Sequence, residues 1–453
     1  MATYRLGHDE FVIEDYARTR PFASFLPGIA GLWGIPMWVF YVNRGQAIAG
    51  FGVQDKEHPI MEFLPANRAY RSVPLHGFRT FLKLSGRPGG LYEPFGLGPH
   101  ESSDSTVTRR MRILMHDLIL EETHRALGLE TRVHYFTIPH EPLAALARVV
   151  SITNRSRTAR SLELLDGLPI IIPYGMLDRF LKSMSRTIEA WVTVTNLEHQ
   201  APFYRLKVEP HDRPEVVAIR AGNFFTGVAT VRGHTIPLRP IIDPSLIFGF
   251  REDCVWPERF AAGTFRVPAR QTACEKTPCA MGYLKTVLAP GATCTLSTLY
   301  GHAESSEQLN RMLPKLREPS FFTRKAEDNQ RLIRELTNPI ATRSGQPTFD
   351  LYCRQTFLDN VLRGGVPITF SGAAAADPKK VLYVYSRKHG DLERDYNQFV
   401  IPATYFSQGD ANYRDVNQNR RSDVWFYPEI GEHNVVTFFN LLQADGYNPL
   451  VYK

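Results

Sequence analysis

From the first residues to about position 300, short β-branched and aromatic runs alternate with turn residues at close spacing, and long helical periodicity is scarce. Parallel strands need crossover segments of a dozen or more residues, usually helical, and this region has no such segments between its runs. A large antiparallel β-sandwich is therefore expected. Met37–Val42 and Ala47–Val53 flank Asn43-Arg44-Gly45-Gln46, where Gly45 supplies the positive φ of a tight hairpin. Leu146–Thr153 and Ser161–Leu165, around Asn154-Arg155-Ser156-Arg157, read as a second hairpin, and Ala190–Thr195, Tyr204–Val208, Val216–Ile219 and Phe225–Val231 as further strands.

A chain of 453 residues exceeds one ordinary core, so two to three domains are expected. Its 43% hydrophobic and 22% charged residues are those of a globular protein rather than a disordered one. The longest apolar stretch, Ile29–Val42, is interrupted by Pro36 and is shorter than the roughly 20 residues needed to span a bilayer. The opening MATYRLGHDEF has no basic segment followed by an apolar one, so a cytoplasmic location is expected and the glycosylation match at Asn154-Arg155-Ser156 is set aside. Five cysteines, Cys254, Cys274, Cys279, Cys294 and Cys353, do not make a disulfide framework. Cys274 and Cys279 lack a second close pair, so small buried thiols in strands are expected and no metal site. The net charge of +7 is spread among Asp and Glu rather than clustered, which argues against a nucleic-acid partner.

After Gly301 the pattern changes. Apolar residues recur at helical spacing up to Leu336, with Pro314 and Pro319 interrupting, and the last helix is expected over Phe321–Leu336 before Asn338-Pro339. Another helix, Pro347–Leu362, carries Phe349, Leu351, Tyr352, Phe357 and Leu358 and ends at Gly364-Gly365. An amphipathic helix over Glu429–Leu442 would present Ile430, Val435, Phe438 and Leu442 to a core. Few partners for that face remain in the chain, so the last domain is expected to be incomplete.

The densest polar run is Tyr405–Asp423, which includes Gln408, Tyr413, Arg414, Asp415, Gln418 and Asn419. Planar amides, carboxylates and guanidinium groups offer paired donors or acceptors that span adjacent pyranose hydroxyls, and aromatic rings cover the sugar's C–H face. The same residue types also build well-bonded surface turns, so composition alone divides evenly between a sugar subsite and a loop. In the cluster Ser386–Asn397, Asp391, Glu393 or Asp395 would serve as a general acid if burial raised its pKa, and His389 would supply a hydrogen bond; a solvated ion-pair patch is the competing reading. Gly86-Arg87-Pro88-Gly89-Gly90 and Gly96-Leu97-Gly98 lack the features of a phosphate loop and read as ordinary loops.

The segment Arg414-Asp415-Val416-Asn417-Gln418-Asn419 resembles the R-D-x-x-Q-D segment of cellobiose phosphorylase and its relatives in glycoside hydrolase family 94. With SRKHGDLERDYN before it and LLQADGYNPLV after it, the longer string TYFSQGDANYRDVNQNRRSD resembles the 1,2-β-oligoglucan phosphorylases of that family, as does the opening SFLPGIAGLWGIPMWVFYVNRGQ. The resemblance implies a β-sandwich over residues 1–303, a helical linker over 304–345 and, over 346–453, the N-terminal part of an (α/α)6 catalytic domain. Twelve helices and their connections need on the order of 200 residues, so the barrel is expected to stay incomplete within this chain.

By the same resemblance, the reaction is inverting phosphorolysis of a β-glucan to α-glucose 1-phosphate, a hexosyltransferase-type activity with inorganic phosphate as co-substrate and no other cofactor. One acid protonates the leaving oxygen, and phosphate takes the place of the water that a second carboxylate would activate. Arg414, Asp415 and Gln418 match the family's substrate-binding positions, while Asn419 departs from its aspartate and favours β-1,2-glucooligosaccharides over cellobiose. No catalytic residue is assigned within the chain: the general-acid aspartate is expected beyond Lys453, which lowers Asp391, Glu393 and Asp395 in rank, and the chain alone is expected to be inactive. The expected partners are a β-glucan oligosaccharide and phosphate, without nucleic acid or membrane, and a homodimer is left open. The alternatives are a phosphorylase of cellobiose or another β-glucan disaccharide, and a non-catalytic glucan-binding protein.

Overall fold

A computed structural model describes residues 3–31, 34–84, 90–96, 106–211, 213–272, 274–372, 379–384 and 411–452. Among them, an antiparallel sheet of eleven strands forms the main layer; its central strands are Leu129–Thr137, Ala144–Asn154, Thr293–Ala303 and Gly222–Val231, in that spatial order. Five strands, with Arg160–Leu168 in the middle between Ala280–Leu288 and Arg79–Leu84, make a second antiparallel sheet. The expected antiparallel sandwich is present, and its main core draws Val133, Tyr135, Leu146 and Tyr300 from the first sheet and Leu82, Leu162, Leu164 and Leu284 from the second. Strand Leu129–Thr137 shows how the sequence does this: Leu129, Thr131, Val133 and Tyr135 are buried, while Glu130, Arg132 and His134 between them are only partly so.

The apolar run that ends at Val42 has its own explanation. Met37–Val42 lies in a four-stranded sheet and is buried on both faces. Alternation sends Met37, Val39 and Tyr41 into the main core and Trp38, Phe40 and Val42 into a second one, closed by Ala69 and Val73 of helix Ala66–His76. Such a strand reads as continuously apolar. No helix among the described residues is long and apolar enough to cross a membrane.

The first expected hairpin forms, with Met37–Val42 paired to Ile48–Val53. The second does not. Ala144–Asn154 belongs to the large sheet and Arg160–Leu168 to the five-stranded one, so the intervening residues arch from one layer to the other. Asn154, fully buried, anchors this arch: its Nδ2 donates to the carbonyls of Thr158 at 2.8 Å and Leu288 at 2.9 Å, and its Oδ1 accepts from Ser156 N at 3.0 Å. A short polar connection between two apolar runs is common to hairpins and arches, and only the side chain's bonds to the second layer decide between them. Val216–Ile219 is not a strand either: Val216 is exposed, and the segment contributes one isolated bridge, Val208 to Ala218. Of the five thiols, Cys254, Cys279 and Cys294 are buried, Cys353 is half-buried and Cys274 exposed, but Cys294 alone lies in a strand.

The last long strand ends at Ala303 and helix Ser306–Leu316 follows at once. Ser305 caps it, its Oγ accepting from Gln308 N at 3.2 Å. This helix and Pro319–Thr337 press Leu309, Leu313, Phe321 and Phe322 onto the outer face of the large sheet, against Phe136, Ala147 and Phe224. Buried Glu141 holds both helices, accepting from Lys315 Nζ at 2.7 Å and pairing with Lys325 Nζ at 2.8 Å. Helix Pro347–Gly364 packs Phe357, Leu358 and Val361 against Ile333 and Ile29, while Phe349 and Tyr352 of the same helix are exposed.

Candidate functional site

The C-terminal half of the polar run folds into helix Tyr413–Arg420. Its periodicity divides it cleanly. Tyr413, Val416 and Arg420, at positions i, i+3 and i+7, are buried, whereas Arg414, Asn417 and Gln418, at i, i+3 and i+4, are exposed. Two of the expected sugar-binding residues, Arg414 and Gln418, thus share one solvent-facing side, and Tyr413 belongs to the opposite one. Tyr413 packs edge-on against Phe438 with ring centroids 5.6 Å apart and donates its hydroxyl to Phe438 O at 2.8 Å, which makes it an anchor. Asp415 and Asn419 fall on this helix, but their side chains lie outside the described residues. Gln408, together with Asp391, Glu393, Asp395 and His389, also lies outside them, as do most residues of the two glycine-rich loops.

Behind the helix stands a polar cluster that composition did not reveal. Asp423 is fully buried; its Oδ1 accepts from Asn360 Nδ2 at 2.9 Å, and its Oδ2 from Tyr383 Oη at 2.7 Å and Asn434 Nδ2 at 3.1 Å. The Arg420 guanidinium sits 3.6 Å from the Tyr383 ring centroid. Burial raises the Asp423 pKa above the usual carboxylate value, against the pull of these hydrogen bonds and of Arg420. A raised pKa suits a general acid, but this carboxyl is sealed from solvent and its bonds run inward. Asp423 therefore ties together helix Pro347–Gly364, the hairpin strand Lys380–Val384 and helix His433–Phe439 behind the exposed face. The sequence signal for it was the spacing of Tyr413, Val416 and Arg420, which marks a buried side within an otherwise polar run.

The expected helix over Glu429–Leu442 is broken. A 3-10 turn covers Pro428–Ile430, Gly431 takes φ 53°, and a helix resumes over His433–Phe439. Ile430 and Phe438 are buried as expected, but Val435 is exposed, and so is Leu442, which lies beyond the end of the resumed helix.

What this arrangement offers a ligand is a guanidinium and two planar amides side by side, supplying donors and acceptors at helical spacing, on a support held by Tyr413 and the Asp423 cluster. No family model and no curated protein matches the sequence. Among solved structures, the chain is similar to a family GH92 inverting mannosidase from Bacteroides thetaiotaomicron, with a TM-score of 0.35 and 11% identity over 95% of this chain and 45% of that one. It is also similar to a protein provisionally named kojibiose phosphorylase from the human microbiome, with a TM-score of 0.35 and 7% identity over 75% of this chain and 34% of the other. The chain spans less than half the length of both.

Proposed function

We propose that the chain takes part in inverting phosphorolysis of β-1,2-glucooligosaccharides, in which phosphate cleaves a terminal β-glucosidic bond to give α-glucose 1-phosphate and a shortened glucan. The observation that carries the reading is the shared exposed face of Arg414 and Gln418, two residues of the R-D-x-x-Q segment. In this reading, residues 1–303 are the sandwich, 304–345 the linker and 346–453 the opening part of an (α/α)6 catalytic domain. Arg414 and Gln418 hold hydroxyls of the glucosyl unit at the cleavage point, and Asp415 and Asn419 complete the same wall. Phosphate is already anionic, so the attack needs no catalytic base, and cationic and hydroxyl donors gather round it instead.

The test uses the complete gene product with β-1,2-glucooligosaccharide and inorganic phosphate. Glucose 1-phosphate should form, and Arg414→Ala should abolish most of it without lowering thermal stability. Absence of glucose 1-phosphate from the native protein would overturn the proposal, and a synthetic-direction panel of acceptors would separate β-1,2-glucans from cellobiose.

A further inference from the structure

On the sandwich, far along the chain from the Arg414 helix, lies a cavity of about 380 Å³ bordered by the segments around Arg186, Asp243, Phe250 and Lys276. Phe250 is 95% exposed, whereas Ile247 and Phe248 just before it are fully buried. Gly249, at φ 68°, turns the chain between them so that Phe248 enters the core and Phe250 leaves it. The Arg259 guanidinium lies 5.8 Å from the Phe250 ring centroid, and the ring otherwise stays open to solvent beside the cavity, burying almost none of its apolar surface.

The floor is polar and already organised. Glu189 Oε1 accepts from Thr277 N at 2.9 Å and Thr277 Oγ1 at 2.7 Å. Asp243 Oδ1 accepts from Ser245 N at 2.9 Å and Ser245 Oγ at 2.7 Å, and its Oδ2 meets Lys276 Nζ at 2.6 Å. Glu189 Oε2 already accepts from Arg186 Nε at 3.2 Å, so each carboxylate keeps one lone-pair site on its second oxygen for another donor, and the Lys276 ammonium has three hydrogens, of which Asp243 engages one. The charged lining residues are three cations, Arg186, Arg251 and Lys276, and three carboxylates, Glu189, Asp243 and Glu252, so no net field selects an ion. Cys254, at the edge of the floor, is buried, and burial pushes its thiol up to about 11, which leaves it protonated and without nucleophilic character.

We propose that this cavity is a non-catalytic binding subsite for a neutral pyranoside, which lays its C–H face on Phe250 and directs its hydroxyls to Glu189, Asp243 and Lys276. An aromatic platform beside charge-balanced planar acceptors and an ammonium donor fits a polyhydroxylated neutral ring better than an anion or a purely apolar ligand. The subsite does not depend on the phosphorolysis reading, because a sugar can bind there whatever the chain catalyses.

Saturation-transfer NMR and titration calorimetry of the 453-residue protein, with methyl β-glucopyranoside and β-1,2-glucobiose as probes and citrate as the anionic control, test it. The sugars should bind and citrate should not. Phe250→Ala, at an exposed position that does not carry the core, should weaken the sandwich-site component roughly fivefold to tenfold. Glu189→Gln should also weaken it, and Arg414→Ala should leave it unchanged. Equal sugar binding by the native protein and Phe250→Ala, no sugar binding at all, or binding of citrate alone would each overturn the inference. None of these results bears on glucose 1-phosphate formation.

Discussion

Arg148 and Asp166 form a fully buried ion pair between the two sheets, Arg148 on Ala144–Asn154 and Asp166 on Arg160–Leu168, with Nη2 to Oδ1 at 2.6 Å. Arg148 Nη2 also donates to Gln46 Oε1 at 2.6 Å and Thr80 Oγ1 at 3.0 Å, Nη1 donates to Tyr135 Oη at 2.8 Å, and the guanidinium carbon lies 5.0 Å from the Phe78 ring centroid. Asp166→Ala removes the single carboxylate in this set and leaves a guanidinium surrounded by neutral groups. Stranding a buried charge in this way costs about 3–5 kcal/mol. An unfolding entropy of about 2.1 cal/mol/K per residue, over roughly 300 residues of sandwich, gives on the order of 0.6 kcal/mol/K, so the melting temperature should fall by about 5–8 °C. Arg148→Met combined with Asp166→Leu removes both charges at similar volume and should recover most of that loss, leaving about 1–3 kcal/mol for the partners stranded on Gln46 and Thr80. Differential scanning calorimetry of the native protein, both single variants and the double variant closes the cycle. A shift below about 2 °C for Asp166→Ala, or a double variant as unstable as the sum of the singles, would refute the reasoning.

Asp117 gives a pH prediction. Burial alone would raise its pKa, but hydrogen bonds from His116 and His134 outweigh that and lower it from 3.8 to about 2. A depressed carboxylate pKa contributes stability above the unfolded value, here about 2 kcal/mol, which is lost as pH falls from about 4 through 2. Asp117→Asn should flatten urea-midpoint stability across that window, and an unchanged acid slope would contradict the assignment. Asn154→Ala removes the amide donor shared by the Thr158, Leu288 and Ala289 carbonyls at the arch between sheets, of which Thr158 keeps Ser156 Oγ and Ala289 keeps Ala292 N, and should cost about 2–3 kcal/mol in chemical denaturation for the hydrogen bonds lost, against less than about 0.5 kcal/mol expected at an exposed turn. For Arg414→Ala, the component of glucan binding by the 453-residue chain that survives Phe250→Ala, measured by calorimetry, should weaken about tenfold or more with the melting temperature unchanged, because Arg414 is exposed; a large loss of stability would make it a structural residue.

Strand content, the change to helices after Gly301 and two helix positions were legible because local periodicity carries them: Pro319–Thr337 and Pro347–Gly364 lie within a few residues of their expected spans. The second hairpin was not legible. Two apolar runs joined by Asn154-Arg155-Ser156-Arg157 look alike whether they pair with each other or enter opposite layers, and the choice rests on partners more than a hundred residues away, such as Leu288 and Thr293. Gly431 illustrates the same limit at the site, since one positive φ breaks the expected helix, and the part that re-forms ends at Phe439 and leaves Leu442 outside it, exposed.

At the candidate site the division is similar. The sequence by itself determined that Arg414 and Gln418 share a helical face, because four residues bring a side chain back to nearly the same direction on an α-helix. Which face would meet solvent was decided by tertiary packing: Phe438 takes Tyr413, while Asn360, Tyr383 and Asn434 converge on Asp423 from three separate segments. The physical reason is one of range. Dihedral periodicity acts between neighbours in the chain, whereas burial and the satisfaction of a desolvated carboxylate depend on groups that only the folded chain brings together.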